Sequence, residues 1–296
     1  MQQKFREYFA DSSLLFISLI WGSTFIVIKQ TVELFEPITF VGLRFTLALA
    51  IMMVFCYFRR ELFSIPLLKD GIKLGFTLFL VFTFQTLALK YATATEVGFL
   101  TGTYVLFVPI LSAVFLKKNP HLFSWIGVLL STAGMLMITV ADSISLSGGQ
   151  ILALANAFFI GVQIILTDKY SRKYDAMLLT TVQIGVVAVM SMLYSLLFEN
   201  PDFSQLKHPF VFWSLLFNAT VATVFCFFVQ TAMQKHTTPT KAAIMFTMEP
   251  ISSAFFSFFI GGEVLKLKQY MGAAFIVLAI LVAELGTYFR LRRKLP

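Results

Sequence analysis

Two residues of this 296-residue chain carry charge inside stretches that are otherwise almost wholly apolar. Arg44 stands in PITFVGLRFTLALAIMMVFC, seven residues past Pro37, and Glu249 stands in AAIMFTMEPISSAFFSFFIG, directly before Pro250. A guanidinium is a planar fork of five donors that suits a carboxylate or a phosphate. A carboxyl in such a stretch could exchange a proton or pair with a cationic group. On membrane-insertion scales each charge costs about 2.5–3.5 kcal/mol at a helix centre, so both residues need a use. Arg44 lies about 10 Å into its helix, too deep for a plain interface residue. Structural uses remain open at this stage: Arg44 could snorkel to outer headgroups or clamp backbone carbonyls, and Glu249 could stay protonated and bonded to a neighbouring helix.

Uncharged polar residues in the same kind of surroundings widen the set. Gln85, Asn156, Gln163, Gln183, Asn218 and Gln230 could line a wet cavity, though each alone could equally serve as an interhelical hydrogen bond. The stretch WGSTFIVIK at 21–29 places Gly22, Ser23 and Thr24 together, where they lower helix propensity. In lipid, small residues let helices approach closely, and weakened helices are tolerated where neighbours or cavity water satisfy the backbone. Ser23 and Thr24 are therefore expected to face another helix or the cavity, with Trp21 as an aromatic wall. GFLTG at 98–102 reads as a packing motif. Lys29, Glu96, Lys241 and Glu284 fall near the ends of apolar stretches and are expected to snorkel.

Other chemistry finds little support. His121, His208 and His236 stand at no metal-ligand spacing, and no nucleophile–base pattern is present. No G-x-x-x-x-G-K-[ST] occurs, so the chain carries no P-loop engine. Cys56 and Cys226 sit inside apolar stretches and suggest no disulfide framework. The sequence thus calls for no metal, no cofactor and no enzymatic activity. A lipid-modifying enzyme would want clustered His, Asp or Ser at an interface, which are missing.

The elements that must hold these side chains are read from composition. Hydrophobic residues make up 58% of the chain and charged ones only 13%, with 35 phenylalanines, which places it in the membrane class. Ten stretches suffice to cross roughly 30 Å of hydrocarbon, near 13–31, 37–58, 72–90, 94–116, 123–141, 149–168, 176–198, 210–232, 239–260 and 270–289. The connections are short and carry Pro, Gly and Asn, and none could fold as a domain. The first stretch is too long for a signal peptide and lacks an A-x-A-like site, so it reads as a retained span. With the amino terminus inside, 17 of the 23 Lys and Arg fall on the cytoplasmic side and five outside, Arg44 being intramembrane. That bias predicts both termini in the cytoplasm of a bacterial-type plasma membrane and an even number of spans. The net charge of +8 is spread over short loops and ends, which argues against nucleic-acid binding.

The chain also repeats itself. At an offset of 145 residues Lys90 meets Lys235, Thr93 meets Thr238, Thr95 meets Thr240, Ser112 meets Ser257 and Gly127 meets Gly272. At an offset of 139, Gly22 meets Gly161, Glu36 meets Asp175 and Arg44 meets Gln183. Two halves of five spans follow, 1–141 and 142–296, and because five is odd the second enters the membrane with opposite polarity.

LIWGSTFIVIKQTVELFEPITFVGLRFTLA at 19–48, KYATATEVGFLTGTYVLFVPILSAVF at 90–115 and MEPISSAFFSFFIGGEVLKLKQYMGAAFIVLAI at 248–280 resemble the EamA-type branch of the drug/metabolite transporter superfamily over nearly the whole chain. The resemblance implies an all-α membrane protein of ten helices in two inverted five-helix repeats, with a cavity between the halves. It implies an acidic–proline pair in the ninth helix, here Glu249-Pro250, and brings Tyr104 into the cavity set. The family often has proline directly after the position of Tyr104, where this sequence has Val105, with Pro109 four residues later. The implied function is secondary transport of a small metabolite, an amino acid or related compound, outward by alternating access, with Glu249 as the group for proton coupling. Drugs, cations and nucleotide-like metabolites are the alternative substrates. The partners are then the substrate and the lipid bilayer, and a homodimer is compatible with the sequence.

Overall fold

The computed structural model describes residues 2–57, 63–117, 120, 122–139 and 147–263, and part of 267–282. Its elements are α1 (Gln2–Val32), α2 (Pro37–Cys56), α3 (Ile65–Tyr91), α4 (Ala94–Gly102), α5 (Tyr104–Leu116), α6 (Leu122–Thr139), α7 (Gly148–Ser171), α8 (Ala176–Phe198), α9 (Pro209–Phe217), a π-helical segment (Asn218–Phe225), α10 (Cys226–Gln234), α11 (Pro239–Phe246) and α12 (Met248–Gly261). No strand occurs among the described residues. Eight stretches among them are long and apolar enough to cross a membrane, α4–α5, α9–α10 and α11–α12 each forming one. Leu122–Gly134 and Tyr270–Ala279 are shorter apolar helices, and the rest of the expected tenth span lies outside the described residues. So do Arg59, Arg60, Lys118, Lys266, His121, Glu284 and the basic carboxy-terminal residues used in the charge count.

Helix starts follow local chemistry. Thr93 and Ser147 each form a reciprocal capping box, with Glu96 and Gln150, and Asp175 accepts from the amides of Met177 and Leu178. Prolines occupy the first turns of α2, α3, α9 and α11, where the missing N–H leaves no bond unmade.

Two spans are interrupted midway in the same manner. Thr103 (φ −63°, ψ −7°) separates α4 from α5, and Thr247 (φ −64°, ψ −5°) separates α11 from α12. Each threonine hydroxyl donates back to the carbonyl three residues earlier, Leu100 or Ile244, at 2.6 Å. The first interruption needs no proline, since Val105 follows Tyr104 and Pro109 lies inside α5. Both spans start from a threonine cap, Thr93 or Thr238, and end on a left-handed residue, Lys117 (φ 51°) or Gly262 (φ 67°), whose amide bonds to Ser112 or Ser257.

Packing is pairwise. α2 lies along α8, α3 along α7 and α8, and α1 along α12, while α4 and α5 pack on α7 and α4 also meets α12. Small residues set the closest approaches: a Cβ on Gly22 would come within 2.4 Å of the Glu249 carbonyl and of Ser252, and one on Gly98 within 2.7 Å of Ser253. Large apolar side chains such as Phe55, Leu197, Trp213 and Phe259 face outward, whereas Arg44, Gln183, Asn156 and Asn218 are buried. That inversion of the soluble pattern is what a hydrocarbon solvent demands.

The expected snorkelling of Lys241 is overturned. Lys241 is buried at the start of α11, ion-paired to Asp11 of α1, with Glu7 at 3.7 Å. Lys241 stands near one end of its own helix, but α1 covers it from the side. Among the others, Lys29 pairs with Glu33 at 3.6 Å, and Glu96 bonds Gln150 of α7 at 3.3 Å.

Candidate functional site

A cavity of about 550 Å³, counting its open mouth, lies among α1, α2, α3, α5, α7, α10, α11 and α12. Its lining is mainly apolar and aromatic, from Trp21, Leu78, Val81, Phe82, Ile160, Ile164, Phe227 and Phe246, with Thr24, Arg44, Gln85, Tyr104, Gln163, Gln230 and Glu249 as the polar groups. Walls of that kind with a few convergent polar groups are the usual make-up of a small-molecule site.

Arg44 is held rather than loose. Its Nε donates to Thr223 Oγ1 at 2.7 Å, and its guanidinium lies 4.6 Å from the Phe82 ring centroid and 5.4 Å from that of Phe45. Stacking on aromatic faces stabilises a desolvated guanidinium without spending its donors. No other hydrogen bond or ion pair of this guanidinium occurs among the described residues, and the side chain lines the cavity. Snorkelling to headgroups is not what the side chain does here.

Glu249 occupies the first turn of α12, immediately past the interruption at Thr247. Helix amino termini favour negative charge, so the interruption gives the carboxyl a compatible place in the middle of the protein. Arg44 and Glu249 line one chamber without an ion pair between them. The Met245 carbonyl, in the turn before Pro250, lies 3.4 Å from the Ser18 hydroxyl. Tyr104, first residue of α5, is fully buried, and its hydroxyl has no hydrogen-bond partner among the described residues. The two interrupted spans thus present Tyr104 and Glu249, 145 residues apart, to the same cavity.

Trp21 forms a wall as expected, with ring centroids 5.2 Å from Phe227 and 5.6 Å from Phe246, and its indole donates to the Ala222 carbonyl at 2.9 Å. Thr24 lines the cavity, its hydroxyl turned back to the Trp21 carbonyl at 2.7 Å. Ser23 does not line it; its hydroxyl bonds the Ile20 carbonyl at 2.6 Å. Asn156 and Gln183 also stand outside the lining. Asn156 donates to Thr101 at 3.0 Å between α7 and α4, and Gln183 accepts from Gln163 at 3.1 Å, behind the cavity wall. Gln85 and Gln163 are in the lining.

Apart from Trp21, the apolar walls are not among the expected residues, although the repeat holds a signal for them. Phe82 and Phe227, like Gln85 and Gln230, stand 145 residues apart, and Trp21 with Ile160 and Thr24 with Gln163 stand 139 apart.

The profile of the EamA-like transporter family matches residues 9–140 and 147–285. An uncharacterized transporter of Archaeoglobus fulgidus is 33% identical over 285 residues, covering 95% of this chain and 87% of its own. Uncharacterized transporter YyaM of Bacillus subtilis is 25% identical over 92% of both chains. One solved crystal structure superposes with a TM-score of 0.73 at 19% identity, over 92% of this chain and 95% of its own, a likeness of fold.

Proposed function

The chain belongs to the EamA-like transporter family, and on that premise we propose that it exports an amino acid or a related small metabolite across a bacterial-type plasma membrane by alternating access. The carrying observation is that one fixed cation and one acid, Arg44 and Glu249, share an aromatic-walled chamber without pairing with each other. An α-amino acid offers a carboxylate to the first and an ammonium to the second. A purely cationic solute fits less well, because the Phe82 face that could receive it already carries the Arg44 guanidinium.

Alternating access draws support from the matched geometry of the two halves. Thr93 with Thr238, Ser112 with Ser257 and Lys117 with Gly262 take the same roles 145 residues apart, and Glu36 with Asp175 both precede a helix, 139 apart. Ten spans in two inverted halves around a midplane site would account for these correspondences. Arg6, Arg172 and Lys235 also gather around His236, and together with burial they hold that imidazole below its ordinary value. Burial acts first and the three cations add to it, and a face this basic is the one expected inside.

The test is counterflow in proteoliposomes loaded with a mixture of unlabelled L-amino acids and offered the labelled set. Uptake above that of liposomes carrying Arg44→Ala is expected for at least one amino acid, and no difference for any of them overturns the substrate reading. Reporter fusions at Pro296 and in the 199–209 loop test the orientation. Pro296 found outside, or that loop found inside, overturns it.

A further inference from the structure

Arg44 departs from the matched geometry of the halves, and so does the helix that holds it. The position 139 residues on carries Gln183, and α3, which matches α9–α10 at the offset of 145, runs α-helical where the later stretch becomes π-helical over Asn218–Phe225. The residue that touches Arg44 lies within that π segment. Thr223 accepts the Arg44 Nε bond at 2.7 Å while its own hydroxyl hydrogen goes to the Asn218 carbonyl five residues back, at 2.8 Å. In an α-helix a threonine hydroxyl reaches the carbonyl three or four residues back, as Thr231 of α10 does to Phe227 at 2.8 Å. The π register therefore fixes which way the Thr223 lone pair points. The adjacent Ala222 carbonyl takes the Trp21 indole, so one irregular turn holds a charged and an aromatic member of the cavity wall.

We propose that Thr223 is a positioning residue for anion recognition: it occupies the Nε of Arg44 and turns both terminal nitrogens of the fork toward a solute carboxylate. The inference rests on the reading of the cavity as a solute chamber with Arg44 as its anion-binding group. Its expected signature is weaker capture with transport machinery intact. Thr223→Val should raise KM about tenfold with the maximal rate little changed, the scale of one hydrogen bond to a charged group. Thr223→Ser keeps the hydroxyl and should return KM to the parent value.

A second measurement needs no solute. p-Hydroxyphenylglyoxal condenses with the terminal nitrogens of a guanidinium, and its rate at Arg44 can be followed by peptide mass spectrometry on the purified full chain. The rate should fall several-fold in Thr223→Val, where the unanchored fork can rotate over the Phe82 ring and no longer holds its terminal nitrogens toward the cavity, and recover in Thr223→Ser. A rate in Thr223→Val at or above the parent's overturns the proposal, as does a serine variant that stays slow. Thr223→Ala removes the same bond and replaces the valine variant if that does not run as a monodisperse protein. Absence of amino-acid transport by the parent would sink the substrate reading, while the modification rates still decide the role of Thr223.

Discussion

Lys241→Met should lower stability by about 3–5 kcal/mol, the range for breaking one side of a buried ion pair. Asp11 is 2% exposed and Lys241 3%, so water cannot replace the lost partner. The Asp11 Oδ1 already lacks a hydrogen-bond partner among the described residues, and Glu7 would add a second carboxylate to the same gap. The double variant Asp11→Leu/Lys241→Met should recover most of the loss, because removing both charges also removes their desolvation. Gln150→Ala is the control. Gln150 stands 139 residues after Asp11, and its 3.3 Å bond to Glu96, 145 residues before Lys241, is half-buried and carries one charge rather than two. Its loss, together with that of the Ser147 amide bond to Gln150 Oε1 at 3.0 Å, should cost about 1–2 kcal/mol, because both bonds lie where water can replace them. The check is the temperature at which half of the detergent-solubilised protein leaves the monodisperse peak. A Lys241→Met midpoint equal to that of Gln150→Ala would mean that water reaches the pair and that α1 is not pinned there.

That pair also shows why some of the molecule is legible in the sequence and some is not. Apolar length and Pro, Gly or Asn punctuation located the spans because each span must satisfy its own backbone in lipid, a constraint that acts locally. The part of α1 before the apolar run at 13 instead meets α11 far along the chain, through Glu7 and Asp11 on Lys241, which no local count contains. The same holds for the polar candidates. Residue type marked Gln85, Gln163, Gln183 and Asn156 alike, but only the first two face the cavity, since the facing depends on rotations that α4, α7 and α8 impose on one another. The interruptions at Thr103 and Thr247 leave a faint local trace, a threonine able to bond back one short turn, and the proline at 250 drew attention to just one of them. The π-helical turn leaves no trace in composition. What it touches, Arg44 and Trp21, comes from α2 and α1, far from it along the chain.

Glu249→Gln should leave the protein folded, weaken its hold on the ammonium of the solute, and remove the dependence of the remaining transport on a pH gradient. Glu249 is 7% exposed, sits at the amino terminus of a half-span, and makes no ion pair among the described residues. A carboxyl so placed is met either by a proton or by a cation that arrives with the solute, because a bare buried charge is too costly to keep. In the proposed alternating-access cycle, movement of the two halves would change which of these reaches it, and that exchange would couple a proton to a solute. Glutamine matches the shape and keeps a hydrogen-bonding group, so the backbone contact with Gly22 and the packing of α12 on α1 survive, while the exchangeable charge does not. Arg44→Lys is the matching change at the other pole. It keeps the charge but loses the fork, so it should weaken solute capture and leave the gradient dependence in place. Solute flux in proteoliposomes, with and without an imposed pH gradient, separates the two residues. Equal gradient dependence in the parent and in Glu249→Gln would remove Glu249 from coupling. Normal transport by Glu249→Gln together with a loss of folded protein in Glu249→Leu would make its role one of packing against α1.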